Sequence, residues 1–247
     1  MSEIIYTTSD QIATTHGVKG CIYGNAGSGK TLLCATAPRP LMIQAESGAL
    51  SLKRSNLERI FGVNSPGITY SIPLVSIASL ADFERVYKDV TTRSEIYHSF
   101  DTLYIDSLSE IVETILSNKL SGKSNNGNKV DGRAAYGEMA EEALEWVKKF
   151  RDIPGKHVFV TCKQGVGEHS NMFGPNMPGK ILPYELPYIF DEVFQINIGE
   201  DPTTKEAFRW LRTQPDLKNY AKDRSGALDP RGESAYLYNI IAKISAA

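Results

Sequence analysis

The segment GNAGSGKT, residues 24–31, constrains the fold of this chain more than any other stretch. It matches the pattern G-x-x-x-x-G-K-[S/T] at every fixed position and lies between two apolar segments, GVKGCIYG and KTLLCATA. The first segment predicts a buried strand and the second predicts a helix. A glycine loop in that position lets successive backbone N–H groups surround an anion, and the helix N-terminus adds partial positive charge. The sequence therefore predicts a phosphate-binding loop, with a plain strand-to-helix turn as the alternative.

The residue types of this loop suggest individual roles. The glycines let the backbone approach phosphates where a Cβ would obstruct it, Lys30 should reach the β- and γ-phosphates of ATP, and the Thr31 hydroxyl should bind Mg²⁺. ATP and Mg²⁺ are therefore the expected cofactors, and Lys30 is also a candidate catalytic residue. The predicted nucleotide contacts are Gly24, Asn25, Ala26, Gly27, Ser28, Gly29, Lys30, Thr31 and Leu32.

Two acidic residues follow apolar segments that read as strands. Asp106 closes the segment LYID and should order the magnesium directly or through water, because parallel strands end at one sheet edge. Its alternative role is an N-cap of the next helix, for which Ser107 is equally suited, with Glu110 completing a capping box. Glu46, after LMIQA, is a candidate general base or water-orienting group for attack on the γ-phosphate. A surface carboxylate in a turn near Gly48 is the alternative for Glu46.

Apolar segments alternate with amphipathic ones along most of the chain. This alternation predicts an α/β fold with a mainly parallel sheet and crossover helices. We expect one domain over residues 1–247, with a short N-terminal extension of about residues 1–16. The predicted strands are 17–24, 40–46, 101–107, 157–164, 192–198 and 206–214, and the predicted helices are 30–37, 80–100, 108–120, 134–153 and 234–244.

Two polar stretches, residues 119–133 and 165–183, interrupt this pattern and are predicted to be mobile loops. The glycine and proline content of residues 165–188 argues against regular structure over most of that length. Their cations and one aromatic ring could contact phosphates and stack on bases of single-stranded DNA, with ordinary solvated loops as the alternative. The candidate DNA contacts are Lys123, Lys129, Arg133, His169, Phe173 and Lys180. Gln164, just before the second stretch, could sense the γ-phosphate or be an ordinary polar strand end.

Composition limits where such a molecule could bind DNA. The net charge is −2 and the pI is about 6.1, so any DNA binding must come from local basic loops rather than from the overall charge. Three widely spaced cysteines in apolar surroundings predict reduced core thiols and a cytoplasmic location. We found neither a secretory pattern at the N-terminus nor an apolar window of membrane-spanning length, so no membrane partner is expected.

Several segments together resemble the RecA-type ATPases, in particular the phage-encoded nucleotide-binding proteins of the Sak group of single-strand annealing and recombination proteins. The resemblance spans residues 19–230 and rests on GNAGSGKT, LYIDS, PLMIQAESGALSL, FGPNMPGKILPYELPYIFDEVFQI and NYAKDRSGAL. It implies a three-layer α/β/α RecA-like P-loop NTPase core, ATP hydrolysis with Glu46 as a catalytic residue, and action on single-stranded DNA in the host cytoplasm. A single-strand binding protein would be a further partner. Gln44 and Ala45 depart from the pattern, since related recombinases tend to have Asp-Thr there.

The segment KDR contains a second pair of candidate catalytic residues, Lys222 and Arg224. Their alternation lets both side chains project to one side of an extended segment. In RecA-type motors a similar pair reaches the ATP of the neighbouring subunit, so the resemblance implies a trans-acting role and a head-to-tail ring or filament. The alternative is a solvated turn near Gly226 and Pro230.

Two other functions remain open at this point. A small-molecule or nucleotide kinase would need a cationic lid, and residues 165–183 contain one lysine and no arginine. A nucleotide-dependent switch or loader would bind ATP and a replication protein with little turnover.

Overall fold

The computed structural model describes residue 8 and residues 16–46, 48–121, 131–167 and 171–247. Strands and helices alternate along most of this length. The strands are β1 Lys19–Gly24, β2 Pro40–Gln44, β3 Leu74–Ser76, β4 Thr102–Asp106, β5 His157–Val166, β6 Phe173–Asn176, β7 Glu192–Glu200, β8 Ala207–Arg212, β9 Lys222–Asp223 and β10 Glu233–Ser234. The α-helices are α1 Lys30–Leu33, α2 Arg54–Phe61, α3 Leu80–Thr92, α4 Ser94–Tyr97, α5 Leu108–Ser121, α6 Gly132–Arg151, α7 Ile181–Ile189 and α8 Leu237–Ala246, and 3-10 helices cover Cys34–Thr36 and Ala49–Leu52.

The strands form one sheet in the order β10-β8-β7-β1-β5-β4-β2-β3, with β6 paired to β5 and β9 paired to β7. The centre of the sheet, from β7 to β3, is parallel throughout, and β8, β10, β6 and β9 add antiparallel pairs. Strand β1 lies between β5 and β7, so the loop that follows it emerges at the middle of the carboxyl edge. Crevices at this edge are where open α/β sheets bind ligands.

Helices cover both faces of the sheet. Alternate residues of β1 show this, because Cys21 and Tyr23 belong to one apolar cluster and Ile22 to the other, all of them fully buried. The first cluster includes residues of α3, α5, α6 and α7, and the second includes residues of α1, α2 and α8. The predicted three-layer α/β/α arrangement with a mainly parallel sheet is therefore confirmed.

Several predicted element boundaries are wrong. The helix predicted over residues 80–100 is interrupted at Arg93, which has extended dihedral angles. The hydroxyls of Thr91 and Thr92 donate to the carbonyls of Tyr87 and Lys88, and such side-chain bonds compete with regular helix geometry. The predicted helix 30–37 is α-helical only to Leu33 before it tightens into the 3-10 turn.

The prediction of irregular structure over most of residues 165–188 is also wrong. Strand β5 continues to Val166, β6 pairs with it, and α7 begins at Ile181. Helix α7 forms although it contains Pro183 and Pro187. Its buried face of Leu182, Leu186, Pro187 and Ile189 packs in the core, and that burial offsets the cost of an interior proline.

The three cysteines, Cys21, Cys34 and Cys162, are buried free thiols, as predicted. The sulfur atoms of Cys21 and Cys162 lie 3.8 Å apart on the adjacent strands β1 and β5. Within the described residues, none of the helices combines the length and the apolar character that crossing a lipid bilayer requires.

Candidate functional site

The glycine loop joins β1 directly to α1. Gly27 and Gly29 have φ angles of +75° and +104°, the left-handed region that favours glycine. The loop closes through a hydrogen bond from the Ser28 N–H to the Asn25 carbonyl, and α1 begins with the Leu33 N–H donating to the Gly29 carbonyl. A Cβ added at Gly27 would meet no atom within 4 Å among the described residues, so this side of the loop is open to a ligand.

The Lys30 side chain folds back onto the first two residues of the loop. Its ammonium group donates to the carbonyl oxygens of Gly24 at 2.8 Å and Asn25 at 3.0 Å. Burial lowers the pKa of Lys30, while the negative charges of Asp106 and Glu46 act in the opposite direction. The hydroxyl of Tyr104 donates to the Lys30 carbonyl and so ties α1 to β4. A cation held at this point is suited to the terminal phosphates of a nucleotide.

Asp106 reaches the loop from the end of β4. Its Oδ2 accepts a hydrogen bond of 2.7 Å from the Thr31 hydroxyl, and its Oδ1 accepts one from the Thr161 hydroxyl. The Asp106 carboxylate is nearly buried, and the peptide bond to Ser107 is cis. Paired hydroxyl and carboxylate oxygens are the donor types that Mg²⁺ prefers, so Thr31 and Asp106 suit that ion.

Glu46 lies two residues beyond the end of β2, which stops at Gln44 rather than at the predicted residue 46. Its Oε1 accepts a hydrogen bond from the Ser107 hydroxyl, and its carbonyl accepts one from the Gln44 amide. Ser107 Oγ in turn accepts a 3.4 Å bond from the Glu110 N–H, so Ser107 rather than Asp106 caps α5. The predicted capping box is absent here, because the Glu110 carboxylate pairs with Lys163 instead.

One pocket of about 540 Å³ brings most of these groups together. Its volume lies within the usual range for small-molecule sites. Two lining residues, Ser51 and Lys163, were missed by the sequence reasoning, since neither belongs to a recognisable pattern. The pocket is lined by Gly24, Asn25, Ala26, Gly27, Gly29, Lys30, Thr31, Leu32, Glu46, Ser51, Asp106, Lys163 and Gln164.

Gln164 connects this pocket to a polar network. Its Oε1 accepts a 3.1 Å bond from the Gln195 amide, which also donates to Asn219 Oδ1 at 2.8 Å. Asn219 forms a backbone bridge with Phe173, the first residue of β6. A chain of hydrogen bonds therefore runs from the pocket to the β5–β6 hairpin.

Phe173 and Lys180 line a second cavity of about 460 Å³, between this hairpin and α7. Three tyrosines that the sequence reasoning missed, Tyr184, Tyr188 and Tyr220, line the same groove. Tyr184 and Tyr188 are 56% and 61% exposed, and their ring centroids are 5.4 Å apart. The groove thus presents several aromatic faces beside a lysine.

Among the described residues, one further candidate DNA contact, Arg133, does not line this groove. Arg133 lies in the first turn of α6 rather than in a loop, and its N–H bonds the capping Asp131 carboxylate. Lys123, Lys129 and His169 fall outside the described residues.

Lys222 and Arg224 lie far from the phosphate loop. Lys222 donates to the carbonyl of Pro187 at 2.6 Å, and Arg224 forms a 2.6 Å ion pair with Asp191. The Asp191 N–H bonds the carbonyl of Lys19, at the amino end of β1. The phosphate loop follows the other end of this strand, about 16 Å away at the usual rise per residue. That separation exceeds the reach of an arginine side chain, so Arg224 cannot contact the pocket of its own chain.

Solved structures that are similar to this chain include a recombinase and a KaiC-like protein. The RadB recombinase is 15% identical with a TM-score of 0.43, and the alignment covers 81% of this chain and 82% of that one. A KaiC-like protein from the hyperthermophilic archaeon Pyrococcus horikoshii OT3 is 16% identical with a TM-score of 0.38, covering 79% of this chain and 77% of that one. No curated protein matches the chain.

A sequence family, AAA_24, described as an AAA domain, matches residues 16–225. This match includes the phosphate loop, Glu46, Asp106 and the KDR segment. It covers most of the 247 residues. The chain therefore belongs to the AAA_24 family of AAA domains.

Proposed function

We propose that this protein is a Mg²⁺-dependent ATPase of RecA type that assembles head to tail on single-stranded DNA and acts in phage recombination or annealing. The convergence of Lys30, the Thr31–Asp106 pair and Glu46 in one pocket carries this proposal. A phosphate loop alone would fit many nucleotide-binding proteins. A carboxylate at the end of a second strand, held beside the metal ligands, adds the means of hydrolysis.

The groups around the pocket have separate roles in nucleotide binding and in hydrolysis. Backbone N–H groups of the loop and the Lys30 ammonium bind the phosphate oxygens, and Thr31 and Asp106 would hold Mg²⁺. When bound, Mg²⁺ neutralises negative charge on the phosphate oxygens. Glu46, held by the Ser107 hydroxyl, orients a water molecule and accepts its proton as the oxygen bonds to the γ-phosphorus. The bond between the γ-phosphorus and the bridging oxygen breaks, which leaves ADP and inorganic phosphate.

Assembly would add a further positive charge to the pocket, beside that of Lys30. The Arg224 side chain is 58% exposed and lies at the opposite end of the sheet from the phosphate loop. In a head-to-tail assembly this end of one copy faces the next copy's carboxyl edge, so Arg224 and Lys222 can act in trans. ATP would then join neighbouring copies, and hydrolysis would release them.

The aromatic groove supports the choice of single-stranded DNA. Unpaired bases stack on exposed aromatic rings without regard to sequence, and a neighbouring lysine attracts phosphates. Phe173 and Lys180 were predicted as DNA contacts, and Tyr184 and Tyr188 extend the same surface. The Gln164–Gln195–Asn219 network offers a route by which nucleotide state could reach this groove. Repetition of the groove along an assembly would multiply weak contacts.

The test measures ATP hydrolysis by the purified protein with and without single-stranded DNA. We expect DNA to stimulate hydrolysis, and we expect Lys30→Ala and Glu46→Gln to abolish it while Lys205→Ala and Glu58→Gln, at exposed ion pairs, do not. A rate of ATP hydrolysis that does not change with DNA, together with phosphate transfer to a nucleoside monophosphate, would show a kinase instead. Tight ATP binding without turnover in the wild type would show a switch or loader.

A further inference from the structure

Arg209, on β8, contacts the phosphate loop at Ser28 and Gly29. Its Nε–H donates a 3.1 Å hydrogen bond to the carbonyl oxygen of Ser28, a residue 181 positions earlier in the chain. The side chain lies so close to Gly29 that an added Cβ would be 2.4 Å from Nε and 2.6 Å from Cδ. Glycine at position 29 is therefore required by this approach as well as by its positive φ angle.

The frame that holds Arg209 is continuous with the loop. Arg209 pairs with Ile198 across the β7–β8 hairpin, and β7 pairs with β1, the strand that leads into the loop. The Arg209 carbonyl also accepts a hydrogen bond from the Ala235 N–H. The backbone of Arg209 is thus fixed relative to the strand from which the phosphate loop emerges, and its side chain bridges the remaining distance to Ser28.

The bond to Ser28 determines the orientation of the next N–H group. In a planar trans peptide the C=O and N–H groups point in opposite directions. Arg209 holds the Ser28 carbonyl on the outer side of the loop, so the N–H of Gly29 is directed to the opposite side. Gly29 is one of the residues that line the nucleotide pocket, which agrees with this orientation.

Charge adds to this geometric effect. A hydrogen bond from a guanidinium group is stronger than one between neutral groups, and it polarises the peptide that accepts it. Polarisation of the Ser28 carbonyl makes the Gly29 N–H a stronger donor toward an anion. The Ser28 hydroxyl is buried and has no hydrogen-bond partner among the described residues, so Ser28 is held through its backbone, by its N–H to Asn25 and by its carbonyl to Arg209.

We propose that Arg209 is a positioning residue for the phosphate tail of the nucleotide, acting through the Ser28–Gly29 peptide. The inference rests on the proposed nucleotide binding and adds a residue outside the phosphate loop. Arg209 acts on the backbone N–H groups of the phosphate loop and not on the attacking water. Its loss therefore weakens the binding of ADP and ATP by a similar factor. The rate of hydrolysis at saturating ATP stays close to that of the wild type.

The experiment compares the wild type with Arg209→Gln and Arg209→Lys by calorimetric titration of ADP and ATP, with the melting temperature measured in the absence of nucleotide. Arg231→Gln is the matched control, because Arg231 forms an exposed ion pair with Asp229. We expect Arg209→Gln to lower both affinities by on the order of 10-fold. We expect Arg209→Lys to recover part of this loss, since it keeps the charge and one donor. Neither variant should melt differently from the control.

Three results would count against the inference. Wild-type affinity in Arg209→Gln would overturn it, as would equal losses in both variants accompanied by a lower melting temperature without nucleotide, which indicates a structural role only. If the wild type itself binds neither ADP nor ATP, the proposed function fails together with this inference. Normal wild-type binding with unaffected variants defeats the inference alone.

Discussion

The hydroxyl of Ser107 donates to a carboxylate oxygen of Glu46, a residue 61 positions earlier in the chain. This bond joins the segment after β2 to the N-cap residue of α5. The same hydroxyl oxygen accepts the Glu110 N–H, so one side chain both caps a helix and holds the candidate catalytic carboxylate. Ala45 adds a backbone bond of 2.9 Å to the Asp106 carbonyl, which keeps the two strand ends together.

Ser107→Ala should therefore reduce hydrolysis without removing the catalytic group. We expect kcat to fall by roughly 10-fold because Glu46 loses a hydrogen bond that orients it, while ATP affinity stays unchanged. The lost cap should also cost about 1 kcal/mol of the free energy of unfolding. Steady-state kinetics, ATP titration and urea denaturation measure these three quantities.

Ser79→Ala provides the control for this prediction. Ser79 caps α3 by accepting the Asp82 N–H at 3.2 Å, so its replacement removes a cap away from the pocket. It should lower the free energy of unfolding by a similar amount and leave kcat unchanged. Equal kcat values in the two variants would contradict a positioning role for Ser107.

A mixing experiment tests the trans-acting role of Arg224. Arg224→Ala should retain ATP binding and lose hydrolysis, because the charge it supplies reaches a neighbouring copy's pocket. Lys30→Ala should lack a working pocket but retain its own Arg224. Mixtures of the two inactive variants should hydrolyse ATP, since some interfaces then combine an intact pocket with an intact arginine.

The phosphate-release rate at several mixing ratios measures this recovery. Arg231→Ala, at another exposed ion pair, is the matched control and should behave as the wild type. Normal hydrolysis by Arg224→Ala on its own would remove the assignment, as would mixtures that stay as inactive as their components.

The meeting of the glycine loop with Asp106 could be predicted, because each depends on local sequence. The backbone of the glycine loop needs glycine at defined positions. Asp106 follows an apolar strand whose end must lie at the same edge of the sheet as this loop. The contact of Arg209 with Ser28 could not be predicted, because it depends on the register of the β7–β8 hairpin. In the sequence, Arg209 is simply one polar residue of a strand.

The fold was predictable from the alternation of apolar segments, but helix α7 was not. Its prolines and the glycines before it indicate irregular structure when they are considered locally. Burial of Leu182, Leu186 and Ile189 outweighs that local preference, and this burial exists only once the sheet has formed. The exposed tyrosines of the groove could be recognised only after α7 was known to be helical.

Replacement of the groove tyrosines should weaken DNA binding. We expect Tyr184→Ala combined with Tyr188→Ala to lower the affinity for single-stranded oligonucleotides by roughly 10-fold or more, because each lost stacking partner costs about 1–3 kcal/mol. Fluorescence anisotropy with labelled oligonucleotides measures the change. Tyr238→Ala, at a tyrosine of comparable exposure on α8, is the control. Unchanged affinity in the double variant would remove the groove from the DNA-binding surface.

The buried carboxyl of Glu192 should make stability depend on pH. Glu192 lies opposite Asp223 in the β7–β9 pair and is only 1% exposed. Burial, followed by the negative charge of Asp223, raises the pKa of Glu192 from 4.5 to about 8. The folded protein therefore holds a proton that the unfolded chain releases above pH 4.5, and this stabilisation is lost as the pH rises to about 8.

Glu192→Gln removes this titration and keeps the shape of the side chain. Between these two pH values the wild type should lose up to about 1.4 kcal/mol per pH unit relative to the variant. Urea denaturation of both proteins across the range isolates the effect, because other groups such as His157, whose pKa is lowered by burial, contribute equally to both. A constant difference between the two free energies of unfolding would show that Glu192 is ionised throughout. Residues 222–224 would then lie beside a buried, negatively charged Glu192 carboxylate, whereas we expect that carboxyl group to be neutral.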